Sequence, residues 1–99
     1  MNRKYLVASL IFLGGCATQL TTEGSSVRLV DDKDTCEYRG IVAGSNAWGT
    51  STADDAEGAM NDLRNRAAAI GANAVYIMNI DSDKDSTTVV AEALICKFD

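Results

Sequence analysis

The sequence predicts an α+β domain of order β-β-α-β-β, one helix packed on a small mixed sheet with one disulfide. Three observations carry this. The 99 residues leave room for a single domain. One stretch, 53–70, carries apolar residues at the three- and four-residue spacings of a helix face, whereas the stretches on both sides of it alternate or run apolar as strands do. Two cysteines, Cys36 and Cys96, fall in strand-like stretches near the two ends of that pattern. A composition of 46% hydrophobic and 23% charged residues excludes a disordered chain and a polytopic membrane protein alike.

The first 15 residues read as a secretory leader. Arg3 and Lys4 form a basic start, residues 5–13 are uncharged and apolar, and small residues follow. The apolar run is too short to span a bilayer, which needs about 20 residues. Leu13-Gly14-Gly15-Cys16 resembles the lipobox of bacterial lipoproteins. That resemblance implies cleavage before Cys16, a diacylglycerol on its sulfur and an acyl chain on its amine, a covalent lipid anchor with no other cofactor. Several acyl chains hold a protein stably where one is marginal. Ala17 is not the aspartate that retains such proteins in the inner membrane, so the resemblance points to the outer membrane, facing the periplasm. Removing Arg3 and Lys4 leaves 7 basic against 14 acidic residues, a net charge of −7. Such an acidic module lacks the basic footprint that nucleic acid requires.

Residues 16–26 are small and polar and predict a lipidated tether, of which 17–26 could extend at most about 35 Å. The domain then occupies 27–99. Residues 27–30 alternate as a strand, 31–35 form a turn, and 36–43 alternate again with Cys36, Tyr38, Gly40 and Val42 on one face; two antiparallel neighbours are the simplest arrangement. Residues 44–51 predict a loop. Thr52-Ala53-Asp54-Asp55 fits a capping box, and Asp54, Asp55 and Glu57 lie where the helix dipole favours carboxylates. The helix should bury Ala56, Met60, Leu63, Ala67 and Ile70, carry Arg64 and Arg66 near its end, and stop at Gly71. The apolar run 74–78 suits a buried central strand, 81–86 an acidic loop, and 87–98 a long last strand. The helical crossover makes its two flanking strands parallel if they adjoin.

Cys36 and Cys96 are an even pair in an oxidising compartment, which reads as a disulfide. Asp81, Asp83, Asp85 and Glu92 sit at positions 1, 3, 5 and 12 of a calcium-loop pattern. Ser86 occupies the position that needs glycine, and the flanks read as strands, so a solvated hairpin loop is the competing account and a divalent-cation site the minor one. The glycines at 44 and 49 copy a phosphate-loop spacing, but Thr50 stands where the lysine belongs and Asp54 and Asp55 would repel the phosphate. Trp48, the one tryptophan, is either tucked over the sheet or an exposed contact for a partner. The chain has no histidine, so no Ser–His or Cys–His pair can form, and a protein without catalysis is expected.

The stretches 38–44, 65–75 and 91–96, above all Gly71-Ala72-Asn73-Ala74-Val75, resemble a family of small Gram-negative lipoproteins of the DUF4156 type, whose domain is similar to that of the outer-membrane lipoprotein RcsF. The resemblance implies a disulfide-held α/β domain that contacts another envelope protein. RcsF-type sensors carry four domain cysteines and a long proline-rich linker, whereas this domain has two cysteines and the chain no proline. The expected function is therefore an interaction module of the envelope, with RcsF-like stress signalling and cation binding as alternatives.

Overall fold

The computed structural model describes residues 18–49 and 51–98; residues 1–15, which read as a leader, and Cys16 and Ala17 lie outside the described residues, as do Thr50 and Asp99. A short 3-10 turn at Gly24–Ser26 leads into β1 (Arg28–Leu29), β2 (Cys36–Ala47), α1 (Thr52–Ala69), β3 (Ala74–Ser82) and β4 (Ser86–Cys96). These form one helix on a four-stranded mixed sheet of order β1-β3-β4-β2, the α+β architecture expected. β4 runs antiparallel to both β2 and β3, and β1 adds to β3 in parallel.

The expected pairing of the first two strands is overturned. β1 and β2 stand at opposite edges of the sheet, with both β3 and β4 between them. Period-two alternation identifies a strand but says nothing of its neighbour. The partner is chosen by distant groups: the Arg28 amide donates to the Asn73 carbonyl and the Val30 amide to the Val75 carbonyl, each at 3.0 Å. The strands flanking the helix, β2 and β3, do not adjoin either, because β4 inserts between them.

β2 is also longer than expected. Residues 44–47, read as the start of a loop, continue the strand opposite Val89 down to Ser86. Their small, polar character has a packing reason. Gly44 lies directly beneath the helix, where a Cβ would stand 2.8 Å from the Cα of Leu63, and Asn46 is a buried polar residue. A bulge between Tyr38 and Gly40 then separates faces that simple alternation would merge. Cys36 and Tyr38 pair with Cys96 and Leu94 on the face away from the helix, whereas Gly40 and Val42 pair with Ala93 and Ala91 beneath it. The bulged Arg39 donates from Nε and one terminal nitrogen to the Ile70 carbonyl, at 3.3 and 3.0 Å, capping the end of α1.

α1 starts one residue earlier than expected and its cap is Ser51, whose hydroxyl accepts from the Asp54 amide at 3.1 Å. Its buried stripe is Asp55, Ala59, Leu63 and Ala67, with Gly58 beside it. Ala56 and Met60 flank that stripe, and Ile70 is 39% exposed. The stripe is rotated because the N-terminal turn buries a carboxylate, which hydropathy alone would assign to solvent. Gly71 stops the helix as expected, at φ +83, with its amide donating to the Ala68 carbonyl and the Ala72 amide to the Ala67 carbonyl, both at 3.0 Å. Asn73 then clamps the end of β4: its Nδ2 donates to the Cys96 carbonyl and its Oδ1 accepts from the Cys96 amide, at 2.9 and 2.8 Å.

The main core lies between α1 and the sheet around Leu63, Val75, Val89 and Val42, with alanines at 59, 67, 91 and 93 letting the two layers approach. A smaller cluster of Ala74, Leu94 and Cys96 lies on the opposite face, with Val30, Cys36 and Tyr76 against it. The connection from β1 to β2 reaches over that face: Lys33 pairs with Glu92 at 3.1 Å and its ammonium lies 5.0 Å from the Tyr76 ring centre.

Residues 18–26, whose composition suggests a free tether, are docked along the helix where they are described. The Thr21 amide and hydroxyl donate to Asn65 Oδ1 at 2.9 and 3.0 Å, and Asn65 Nδ2 donates to the Gln19 carbonyl at 2.8 Å. Arg64, expected to answer the helix dipole, donates instead to the Val27 and Ser25 carbonyls at 3.0 and 3.2 Å. Polar side chains on α1 thus satisfy the backbone of this segment, a role that composition cannot distinguish from solvation.

Candidate functional site: the tip around Trp48

The end of the domain away from Cys36 is built on a buried carboxylate. Asp55, 1% exposed, sits in the first turn of α1. Its Oδ1 accepts from the Gly49 amide at 2.8 Å and from Asn46 Nδ2 at 3.0 Å. Asn46 Oδ1 in turn accepts from the Thr18 amide and hydroxyl at 3.0 and 3.1 Å, and Asn61 Nδ2 donates to the Thr18 carbonyl at 2.9 Å. One network, buried at Asn46 and Asp55 and part-buried toward Gly49, Thr18 and Asn61, therefore joins the strand end, the helix start and the beginning of the docked segment. Buried polar groups that are fully paired specify a geometry strongly. Sequence reasoning missed this network. The signal was Asn46 falling in step with Val42 and Gly44, the inward positions of a continuing strand.

Trp48 stands on this base. It is 74% exposed, which overturns the reading of a ring tucked over the sheet. Its backbone holds φ +64, a left-handed conformation uncommon for a bulky residue. The Trp48 amide donates to the Asp85 carbonyl at 3.0 Å, tying the tip to the β3–β4 turn. With β2 ending at Ala47 the connection to α1 is only residues 48–51, so the indole is offered by a short, braced corner in place of the loop over 44–51 that the sequence predicts.

The β3–β4 turn is shorter than the acidic loop expected over 81–86. Asp83 Oδ1 accepts from the Asp85 and Ser86 amides at 2.8 and 2.9 Å, and the Asp83 amide donates to the Ser86 carbonyl at 2.9 Å. The three aspartates do not converge as metal ligands. Asp83 is turned onto its own backbone, Asp81 lies in β3 opposite Thr88, and Glu92 is engaged with Lys33. Among the described residues no group of three or more potential ligands is placed to hold a metal ion. The phosphate-loop spacing also dissolves, since Gly44 is within β2 under the helix.

The amides of Asp85 first, then Ser86, hold the Asp83 carboxyl below its ordinary value of 3.8. A carboxyl with a lowered folded-state value stabilises the turn at every pH above that ordinary value, and the contribution disappears as pH falls below it through the lowered one. Asp83→Ala is expected to speed amide hydrogen exchange at Asp85 and Ser86 at neutral pH. Asp83→Asn, which keeps the accepting oxygen, should preserve protection and remove its acid dependence. Equal protection in all three proteins would contradict this role.

Cys36 and Cys96 form the expected disulfide, directly opposite each other in the β2–β4 ladder. It closes the end of the sheet away from Trp48. Beside it, a cleft of about 620 Å³ is bordered by Arg28, Asp32, Lys97 and Phe98, with the Arg28 guanidinium 4.3 Å from the Phe98 ring centre.

Comparison with known proteins places residues 18–96 within the family described as Domain of unknown function (DUF4156). The matched span runs from the first docked residue to the second disulfide cysteine. The Uncharacterized protein YjeI of Escherichia coli (strain K12) is 36% identical over 88 residues, covering 77% of this chain and 75% of that protein. The proteins of the same description from Escherichia coli O6:H1 and Shigella flexneri match to the same extent. No solved structure matches the chain.

Proposed function

We propose that the chain, which belongs to the DUF4156 family, is an outer-membrane lipoprotein anchored through acylated Cys16, facing the periplasm and acting without catalysis as an interaction module of the envelope. The observation that carries the interaction reading is Trp48, an aromatic 74% exposed on a corner braced by a buried network. A large amphipathic ring held out on a rigid base is the kind of group that dominates contact surfaces. The anchor reading is supported by the leader and the Leu13-Gly14-Gly15-Cys16 motif, together with the lack, among the described residues, of any helix long and apolar enough to cross a membrane. An RcsF-like signalling input fits less well, because the chain is already docked from Thr18 onward and only Ala17 separates it from Cys16.

Cys16→Ser is expected to abolish acylation and shift the protein from the membrane fraction to a soluble pool. Intact mass and a carbonate-washed membrane pellet read both effects. Retention of the variant in the washed pellet would refute the lipid anchor.

A further inference from the structure

We propose that the Trp48 tip seats in the headgroup boundary of the same membrane that holds the anchor, a zwitterionic lipid surface, so that the domain stands on its membrane by two points. The inference rests on the lipid-anchored reading and assigns the exposed indole, the group that carries the interaction reading, to the lipid surface, so that the envelope partner met at the tip is the membrane itself and not a second protein. Two peptide units separate Cys16 from Thr18, a reach of at most about 7 Å. Thr18 is fixed: its amide and hydroxyl both donate to Asn46 Oδ1. Asn46 precedes Trp48 by two residues. The acyl chains must therefore leave the protein within about 25 Å of the indole, whatever path the two intervening peptides take.

Had residues 18–26 been a free tether, the domain could turn any face to the lipid; docking leaves this end nearest. The ring there has the chemistry of an interfacial residue, an apolar body with one N–H donor, the combination enriched at the water boundary of bilayers. It is held outward, with φ +64 and its amide bonded to the Asp85 carbonyl. Charge selects the lipid. A mature chain of net charge −7, with Lys84 between Asp83 and Asp85 at the tip, is repelled by anionic headgroups and tolerated by zwitterionic ones.

Trp48 is the only tryptophan, so its native emission reports the contact directly. The full acylated chain is placed in phosphatidylcholine vesicles and compared with the Cys16→Ser chain in solution. Emission is expected to shift to the blue, acrylamide quenching to fall by at least half, and lipids brominated near the headgroup to quench. A chain that floats with the vesicles while its emission and acrylamide access match the Cys16→Ser chain would overturn the seating and leave the anchor standing. A mass without acyl chains would overturn the anchor and the seating together. In the variant combining Trp48→Phe with Tyr38→Trp the reporter moves to the far end of β2, about 33 Å along the strand at about 3.3 Å per residue; it should stay open to acrylamide, and equal protection there would overturn a contact specific to the tip.

Discussion

Loss of the Cys36–Cys96 bridge is expected to cost about 4 kcal/mol, because the link removes loop-closure entropy from an unfolded chain whose tied residues are 60 apart. For a domain of this length that is a large share of the total stability. Cys36→Ala and Cys96→Ala should each lower the urea midpoint by nearly the same amount, and the double variant should be little worse, since all three break one bond. The geometry sharpens this expectation. The cysteines are direct partners in the β2–β4 ladder, and Asn73 holds the Cys96 backbone from the other side. The end of the sheet should therefore keep its pairing once the bond is gone, with the loss appearing in global unfolding more than in local fraying. Additive losses from the two single variants would show that the cysteines act separately.

Gly44→Ala is expected to destabilise by about 3 kcal/mol, an unusual cost for one added methyl group. A Cβ there would lie 2.8 Å from the Leu63 Cα and closer still to the Ala59 carbonyl oxygen and the Leu63 amide. All three are backbone atoms of α1, so no rotamer change can relieve the overlap and the helix itself must lift from β2. Lifting opens the core around Leu63, which is fully buried. Gly40→Ala provides the contrast on the same strand, since its added Cβ meets nothing nearer than Ile70 Cδ1 at 3.8 Å. Its urea midpoint should stay within the range of a surface substitution, about 0.5 kcal/mol either way. Similar midpoints for the two variants would mean that the helix does not sit as close as the alanine-rich interface allows.

Where the sequence was legible, the signal was local. The 3.6-residue pattern placed α1 to within one residue at each end, and Gly71 stopped it because a left-handed residue follows the last turn. The disulfide was legible from an even pair of cysteines following a segment that reads as a secretory leader. Residues 44–47 were misread because the glycine and asparagine that usually mark turns here serve a close helix contact and a buried network. The Trp48 corner was half legible: its residue type marked it as notable, but only the short connection after Ala47 and the bond to Asp85 decide that the ring is held out from the fold.

The sequence by itself therefore determined the kinds and order of the elements and the cysteine pair, since each follows from residue type and from spacing within a few turns or strands of chain. Tertiary structure decided which strands are neighbours, which face each side chain takes after the bulge at Arg39, and that residues 18–26 lie along the helix. Those outcomes depend on groups remote in the chain: Asn73 and Val75 for β1, the Ile70 carbonyl for the bulged Arg39, and Asn46, Asn61 and Asn65 for the docked segment. A local pattern constrains backbone conformation. Partners are chosen only when the folded chain must satisfy every buried donor and acceptor at once.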